Sequence, residues 1–94
     1  MKNEFCIMPL DDRYSTTRFY GSERHEIFNA VNRDKSIEDG LVVFITPEQH
    51  RGGKGIHGSP KDWLWLKKLG QQRWQEYYNK TENEFRNRYG RSYL

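Results

Sequence analysis

The chain has 94 residues, of which 34% are hydrophobic, 15% are aromatic and 31% are charged, and its net charge is +3. This length allows one small domain with one modest core, and no run of residues approaches the roughly 20 apolar positions that span a bilayer. The mild positive charge is compatible with nucleic-acid binding but does not require it, so charge alone assigns no partner.

Cysteine usage sets the expected compartment. Cys6 is the only cysteine, which excludes an intrachain disulfide and a zinc site built on paired cysteines. Because a small secreted domain usually needs disulfide bonds, we expect a reducing cytoplasm. The first ten residues are too short and too polar for a secretory signal, and no membrane partner is expected.

We interpret the chain as a single domain over 1–94, with an N-terminal segment (1–22), a central region (23–58) and C-terminal helices (59–94). In the central region, polar and apolar residues alternate weakly from Glu23 to Phe28, which predicts an extended segment that forms one arm of a hairpin. A short helical turn is expected near Asp34–Glu38. Leu41–Ile45 is the clearest strand, because all five residues are apolar and three are β-branched.

A helix start follows the strand directly. Thr46 is a good N-cap, Pro47 suits the first helical position, and Gln49 completes a capping box with Thr46. The short helix that begins there carries His50. Three glycines between residues 51 and 55 stop it and predict a loop.

Two more helices are predicted after the glycine loop. Ser59 and Pro60 favour the start of the longest helix, with Ser59 as the cap. Thr81 and Glu84 form a second capping box, which opens a short terminal helix. The predicted fold class is therefore α+β: a short β-hairpin, a short helix, a longer helix and a short terminal helix.

All three histidines of the chain, His25, His50 and His57, lie in the central region at boundaries between elements. Imidazole is the commonest metal ligand, and a site with three protein ligands keeps positions open for water or substrate. The spacing alone supports a divalent cation site and incidental surface histidines about equally.

Several short motifs in this region resemble, in order and spacing, those of small HNH endonucleases, in particular those of phages and prophages. The resemblance covers roughly residues 23–94 and includes the C-terminal end of the chain. The motifs in the central region are His25–Phe28, Asn32–Ser36, Gly40–Val43, Pro47–Arg51 and Gly55–Gly58.

The resemblance implies an HNH-like ββα-metal core, in which a hairpin and a helix bind one divalent cation and the enzyme hydrolyses phosphodiester bonds in DNA. Carried over by position, His25, His50 and His57 are the metal ligands, and Glu26 stands where the family has its general base. Alternatively, His25 is itself the base, and Glu26 or Glu48 helps to hold the metal. The sequence does not choose among Mg, Mn, Ni and Zn. A phage or prophage origin and the cytoplasm of a bacterial host are also implied.

Three positions depart from the family pattern. Glu26 replaces a histidine, the usual paired cysteines are absent, and Gly40 replaces an asparagine, although Asn32 could supply an amide from elsewhere. These departures support an alternative hypothesis of a catalytically inactive HNH-fold protein that binds DNA or a protein partner, for example a phage-encoded inhibitor of a host defence nuclease. A third hypothesis is a structural domain whose histidines are incidental.

Basic residues are predicted to contact nucleic acid within the central region. These are Arg24, Arg33, Arg51 and Lys54, whose charges suit contacts with backbone phosphates. The basic residues of the long helix, such as Lys67 and Lys68, are interpreted instead as a solvated face. The sequence gives no signal for an oligomeric state.

Overall fold

The structure, a computed structural model, describes residues 4–52 and 55–94. Within these ranges it is a small α+β fold with a two-stranded antiparallel sheet and four helices, which confirms the predicted α+β class. None of the described helices is long and apolar enough to cross a bilayer. The elements, in order, are β1 (Glu23–Glu26), a 3₁₀ turn (Ala30–Asn32), α1 (Arg33–Glu38), β2 (Val42–Ile45), α2 (Pro47–Arg51), a second 3₁₀ turn (Ile56–Gly58), α3 (Pro60–Tyr78) and α4 (Glu82–Tyr89).

The strand pair fixes which side chains share a face. Glu23 of β1 lies opposite Ile45 of β2, and His25 lies opposite Val43. Because side chains alternate along a strand and directly opposed residues point the same way, these four share one face of the sheet. Val43 and Ile45 on this face belong to the same buried core as Leu66 of α3. The face that carries His25 is therefore covered rather than solvated.

The turn between α1 and β2 is fixed by a glycine and a buried serine. Gly40 has a φ of +78° and follows the end of α1, which is typical of a left-handed helix stop. The hydroxyl of Ser36 donates to the carbonyl of Leu41 at 2.6 Å and accepts from the backbone nitrogen of Phe28 at 3.2 Å. These bonds connect α1 to the ends of both strands.

The helix starts agree with the sequence at two of three positions. Thr46 and Thr81 each form the predicted capping box. The predicted side-chain cap at Ser59 is wrong, because its hydroxyl donates to the carboxylate of Asp62 at 2.9 Å instead of accepting from a backbone amide. Pro60 still begins α3, since its fixed φ suits the first helical position.

An aromatic cluster supplies much of the core. The ring of Phe28, just after β1, lies 5.4 Å from Phe85, 4.8 Å from Tyr89 and 5.4 Å from Tyr93, measured between centroids. Trp74 of α3 lies 5.4 Å from Phe85. Such rings bury large areas, which offsets the small number of aliphatic residues.

Asp39, after α1, is a buried carboxylate with several donors around it. Its Oδ2 accepts from Trp74 Nε1 at 2.9 Å and from the hydroxyl of Tyr89 at 2.7 Å. Arg88 donates to both carboxylate oxygens, at 2.6 and 2.8 Å. Burial and the bond to Asp39 raise the pKa of Tyr89, so its hydroxyl stays a donor. This group joins α1, α3 and α4.

Candidate metal centre

The three histidines converge from three separate elements. His25 is on β1, His50 is on α2 and His57 is on the second 3₁₀ turn. One possible ligand atom from each lies within 4.8 Å of the other two. The ring centroids are 5.2 Å apart for His25 and His50, 5.3 Å for His25 and His57, and 4.5 Å for His50 and His57. The prediction that these side chains meet is confirmed, and they lie close enough to hold a metal ion.

Local sequence explains where His50 stands. The Thr46 backbone nitrogen donates to Gln49 Oε1 at 2.8 Å, and the Gln49 nitrogen donates to Thr46 Oγ1 at 3.1 Å. This capping box starts α2 immediately after β2. Because β2 ends opposite the first residue of β1, the turn of α2 that carries His50 is held beside that strand.

Two glycines allow the chain to return sharply towards α2. A Cβ on Gly52 would lie 2.4 Å from the carbonyl oxygen of Glu48, and a Cβ on Gly55 would lie 2.8 Å from that of Gln49. Neither position has space for a side chain. The close return brings His57 against His50, so the glycines of the predicted loop help to build the site.

The protonation of the cluster suits metal binding. Burial, together with His50 and His57, lowers the pKa of His25 to about 3, and burial lowers the pKa of His57. Both imidazoles are therefore neutral at physiological pH, which is the form that binds metal. The Nε2 atom of His25 is also buried without a hydrogen-bond partner in the described part of the chain. An unsatisfied buried polar atom costs about 1–3 kcal/mol, and proximity to an ion is one physical explanation for it.

A carboxylate orients His50. Nδ1 of His50 lies 3.0 Å from Glu23 Oε1, and its Nε2 lies 2.8 Å from Nε2 of His57. Since an ionised carboxylate only accepts, Nδ1 carries the proton and the Nε2 lone pair faces His57. Metal-ligating histidines usually make such a bond to a carboxylate or carbonyl. The cluster therefore has the orienting contact of a metal site as well as its ligands.

Glu23 is a residue of the candidate site that the sequence analysis did not identify. Besides His50, it binds Arg51, whose Nε donates to Oε1 at 3.1 Å and whose Nη2 pairs with Oε2. Arg51, followed by His50, lowers the pKa of Glu23, so the carboxylate is ionised at neutral pH. The available signal was strand alternation, because Glu23 and His25 are two residues apart on one strand and share a face.

Glu26, the predicted catalytic partner of His25, does not join the three-histidine cluster. Its Oε2 accepts from Arg24 Nε at 2.9 Å, and its Oε1 accepts from Arg33 Nε at 3.1 Å. Adjacent residues of a strand point to opposite faces, which explains why His25 and Glu26 separate. Both carboxylate oxygens are engaged by guanidinium groups.

The predicted nucleic-acid contacts are mostly ion-paired. Arg24 and Arg33 bind Glu26, while Arg51 binds Glu23. The side chains of Arg33 and Arg51 remain 53% and 67% exposed, so both are accessible from solvent. Lys54, the fourth predicted contact, lies outside the described residues.

Asn32 and Glu48 also stand outside the cluster. The side-chain amide of Asn32 donates to the carbonyl of Tyr89 at 3.0 Å, which connects the first 3₁₀ turn to α4. Glu48 is exposed on α2 and is not one of the clustered ligands. Neither residue supplies the group that the family pattern suggested for it.

Trp63 of α3 forms one wall of the centre. Its ring centroid lies 5.0 Å from that of His25 and 4.7 Å from that of His57, both nearly edge to face. The indole Nε1 donates to the carbonyl of Ile27 at 3.0 Å, which fixes the ring. Trp63 therefore packs against two histidines of the cluster from a fixed position on α3.

Comparison with known proteins assigns no family. The chain matches no protein-family model, no curated protein and no solved structure. The resemblance to HNH endonucleases therefore stays a hypothesis based on motif order.

Replacing Glu23 by glutamine is expected to weaken divalent-cation binding about 10–100-fold, as is typical when a residue that orients a metal ligand is removed. The amide carries no charge and does not hold the proton on Nδ1 of His50 as firmly. Isothermal titration with Zn²⁺ measures the change. The matched control is Glu48→Gln, which removes the same charge from an exposed position on α2. Equal affinities in the two variants would argue against an orienting role for Glu23.

Proposed function

We propose that His25, His50 and His57 bind one divalent cation and that the protein hydrolyses phosphodiester bonds in DNA as an HNH-type endonuclease. The observation that supports the proposal is the convergence of one possible ligand atom from each of three imidazoles, all within 4.8 Å of one another, beside an antiparallel strand pair. A site with three protein ligands is typical of catalytic rather than structural zinc. The motif order and the mild positive charge are consistent with a DNA substrate.

The donor set narrows the choice of metal. Imidazole nitrogen suits zinc and nickel, whereas magnesium and manganese prefer carboxylate, carbonyl and water oxygens. No carboxylate belongs to the cluster in the described part of the chain. We therefore propose zinc or nickel as the resident ion.

The residues in and around the cluster have separate roles in this proposal. A divalent cation bound there supplies Lewis-acid stabilisation of the charge that develops on the phosphate and the leaving oxygen. Glu23 holds His50 in the tautomer whose Nε2 is a ligand. Trp63 covers His25, while His57 is exposed and marks the side from which a substrate approaches.

Glu26 has no proton-transfer role in this proposal. It points to the face of β1 opposite His25, and its two oxygens accept from Arg24 and Arg33. Its carboxylate instead holds Arg33, whose side chain is 53% exposed, near the strand that carries His25.

The alternative is a catalytically inactive protein of the same fold that binds DNA or a protein partner. The observation that favours it is that both oxygens of Glu26, the residue at the family's general-base position, are bound by Arg24 and Arg33. In this case the cluster stabilises the fold or orders a binding surface. An inhibitor of a host defence nuclease would fit this description.

A plasmid-nicking assay with Zn²⁺, Ni²⁺, Mn²⁺ and Mg²⁺ tests the proposal. Wild-type protein is expected to nick supercoiled DNA, and His50→Ala is expected to lose this activity together with its metal. Glu26→Gln is expected to keep its metal and to nick DNA at a rate close to that of wild type, because Glu26 points away from the cluster and is bound by Arg24 and Arg33.

The outcomes separate the hypotheses. Equal nicking by wild type and His50→Ala, or no nicking with any ion, would contradict the endonuclease. Metal uptake without cleavage would support the inactive binding protein. Glu48→Gln serves as the control and should match wild type, since its side chain is exposed and outside the cluster.

A further inference from the structure

A row of alternating aromatic and basic side chains begins at the metal centre and leads away from it. We define the basic ledge as Trp63, Lys67, Tyr93 and Arg91. Lys67 Nζ lies 4.9 Å from the Trp63 ring centroid and 5.3 Å from that of Tyr93. The guanidinium carbon of Arg91 lies 4.5 Å from the Tyr93 ring. The ledge connects directly to the cluster, because the Trp63 ring packs against both His25 and His57.

Buried hydrogen bonds hold the C-terminal half of the ledge. Gln71 of α3 is fully buried, and its Oε1 accepts from the backbone nitrogen of Tyr93 at 2.7 Å. Its Nε2 donates to Ser92 Oγ at 2.9 Å. Bonds to the residues on both sides of the Ser92–Tyr93 peptide fix the tail against α3. Tyr93, and with it the neighbouring Arg91, is therefore ordered next to Lys67.

The two cations of the ledge have no carboxylate partner. Neither Lys67 nor Arg91 forms an ion pair within residues 4–52 and 55–94. The remaining residues, 1–3 and 53–54, include no acidic side chain. By contrast, Arg24, Arg33 and Arg51 are all neutralised by glutamates.

The environment of Lys67 disfavours its charge. Burial and the nearby Arg91 lower the pKa of the Lys67 ammonium. A lysine that is partly desolvated and faces a second cation is stabilised when an anion binds between them. Since no side chain provides that anion in the described part of the chain, an external one fits the site.

We propose that Lys67 and Arg91 bind a backbone phosphate of a polynucleotide strand, next to the phosphodiester that reaches the three-histidine cluster. This inference rests on the proposed function, because it takes the substrate of the cluster to be a nucleic acid. Basic grooves lined by aromatic rings are typical of surfaces that follow a nucleic-acid backbone. A lysine and an arginine both suit phosphate oxygen, the arginine through a planar fork of donors.

Fluorescence anisotropy with a labelled single-stranded oligonucleotide, in EDTA, tests the ledge without any contribution from metal. The double variant Lys67→Gln/Arg91→Gln is compared with Lys68→Gln/Arg86→Gln, which removes the same charge from exposed positions on α3 and α4. Removal of the ledge cations is expected to weaken binding about tenfold near 0.1 M salt. The slope of log K against log salt should fall by about 1 for each phosphate that the variant no longer neutralises. The control pair should stay within about twofold of wild type.

Additional variants and a competition experiment distinguish the possible outcomes. Lys67→Arg keeps the charge and should retain most of the affinity, while thermal melts check that each variant is folded. Equal affinity in the two double variants, or no oligonucleotide binding by wild type, overturns the proposal that the ledge binds a backbone phosphate. Inorganic phosphate at an equal concentration of phosphate groups should not displace the oligonucleotide. If it does, the site binds small anions, and the proposal of a polynucleotide ligand is overturned. EDTA removes the divalent cation, so this assay does not depend on metal binding or cleavage. A weaker affinity in the ledge variant therefore supports phosphate binding by Lys67 and Arg91 even when the plasmid assay shows no cleavage.

Discussion

Replacing His57 by alanine is expected to abolish the stabilisation of the fold by divalent cations. A cation at 100 times its Kd stabilises a protein by about 2.7 kcal/mol, which corresponds to a rise of roughly 10–20 °C in the Tm of a chain of this size. The variant should show no rise with Zn²⁺ or Ni²⁺. Because His57 is exposed, the metal-free Tm should change little, by the equivalent of about 0.5 kcal/mol or less. Calorimetric or dichroism melts with and without EDTA measure both quantities.

The composition of the chain leaves few other side chains that could bind the cation in this experiment. All three histidines belong to the cluster, so no other imidazole can account for metal uptake. The only cysteine, Cys6, is partly buried, and its thiol donates to the carbonyl of Val42 at 3.0 Å. Glu48→Gln is the control and should retain the full shift. A shift of the same size in His57→Ala would mean that the cation binds elsewhere.

The helix starts could be predicted because caps are local. Thr46 with Gln49 and Thr81 with Glu84 bond within three residues, so the sequence contains all the partners. Gly40 likewise follows from a local requirement for positive φ. Ser59 shows the limit of this reasoning, since Asp62 competes for its hydroxyl.

The site could be predicted only in part. Convergence of the histidines followed from the motif resemblance, since spacing alone left it open. The partners of Glu23 and Glu26 on other elements depend on tertiary contacts and had no local signal: Glu23 binds Arg51 from α2, and Glu26 binds Arg33 from α1. For the same reason the sequence pattern indicates a solvated face for Lys67, although it packs between Trp63 and Tyr93. Pairing across elements decides which charges remain available, and a single sequence does not reveal it.

Asp39 is the second position at which a large effect is expected, because its carboxylate has partners on both helices of the C-terminal half. It is 8% exposed and accepts from Trp74 on α3 and from Tyr89 on α4. Its ion pair with Arg88 uses both oxygens.

Removing the carboxylate leaves the buried indole N–H of Trp74 without its acceptor. Arg88 keeps an ion pair with Glu38 at 3.5 Å. The hydroxyl of Tyr89 keeps its bond to the carbonyl of Lys35 at 3.1 Å. Breaking a buried ion pair by removing one partner typically costs about 3–5 kcal/mol, and a buried donor left unsatisfied, such as the Trp74 indole, costs about 1–3 kcal/mol.

Asp39→Ala is therefore expected to lower the free energy of unfolding by about 3 kcal/mol or more, a large share of the roughly 5–14 kcal/mol expected for a chain of this length. The Tm should fall by about 12 °C or more. Asp39→Asn is expected to fall almost as far, because its amide nitrogen is a donor that faces other donors. Asp34→Ala is the control: it removes the same charge from α1, where the side chain is 97% exposed, and should cost about 0.5 kcal/mol or less. Urea unfolding followed by tryptophan fluorescence gives both free energies. Similar midpoints for the Asp39 and Asp34 variants would show that the bonds from Trp74, Arg88 and Tyr89 do not hold α3 and α4 to the end of α1.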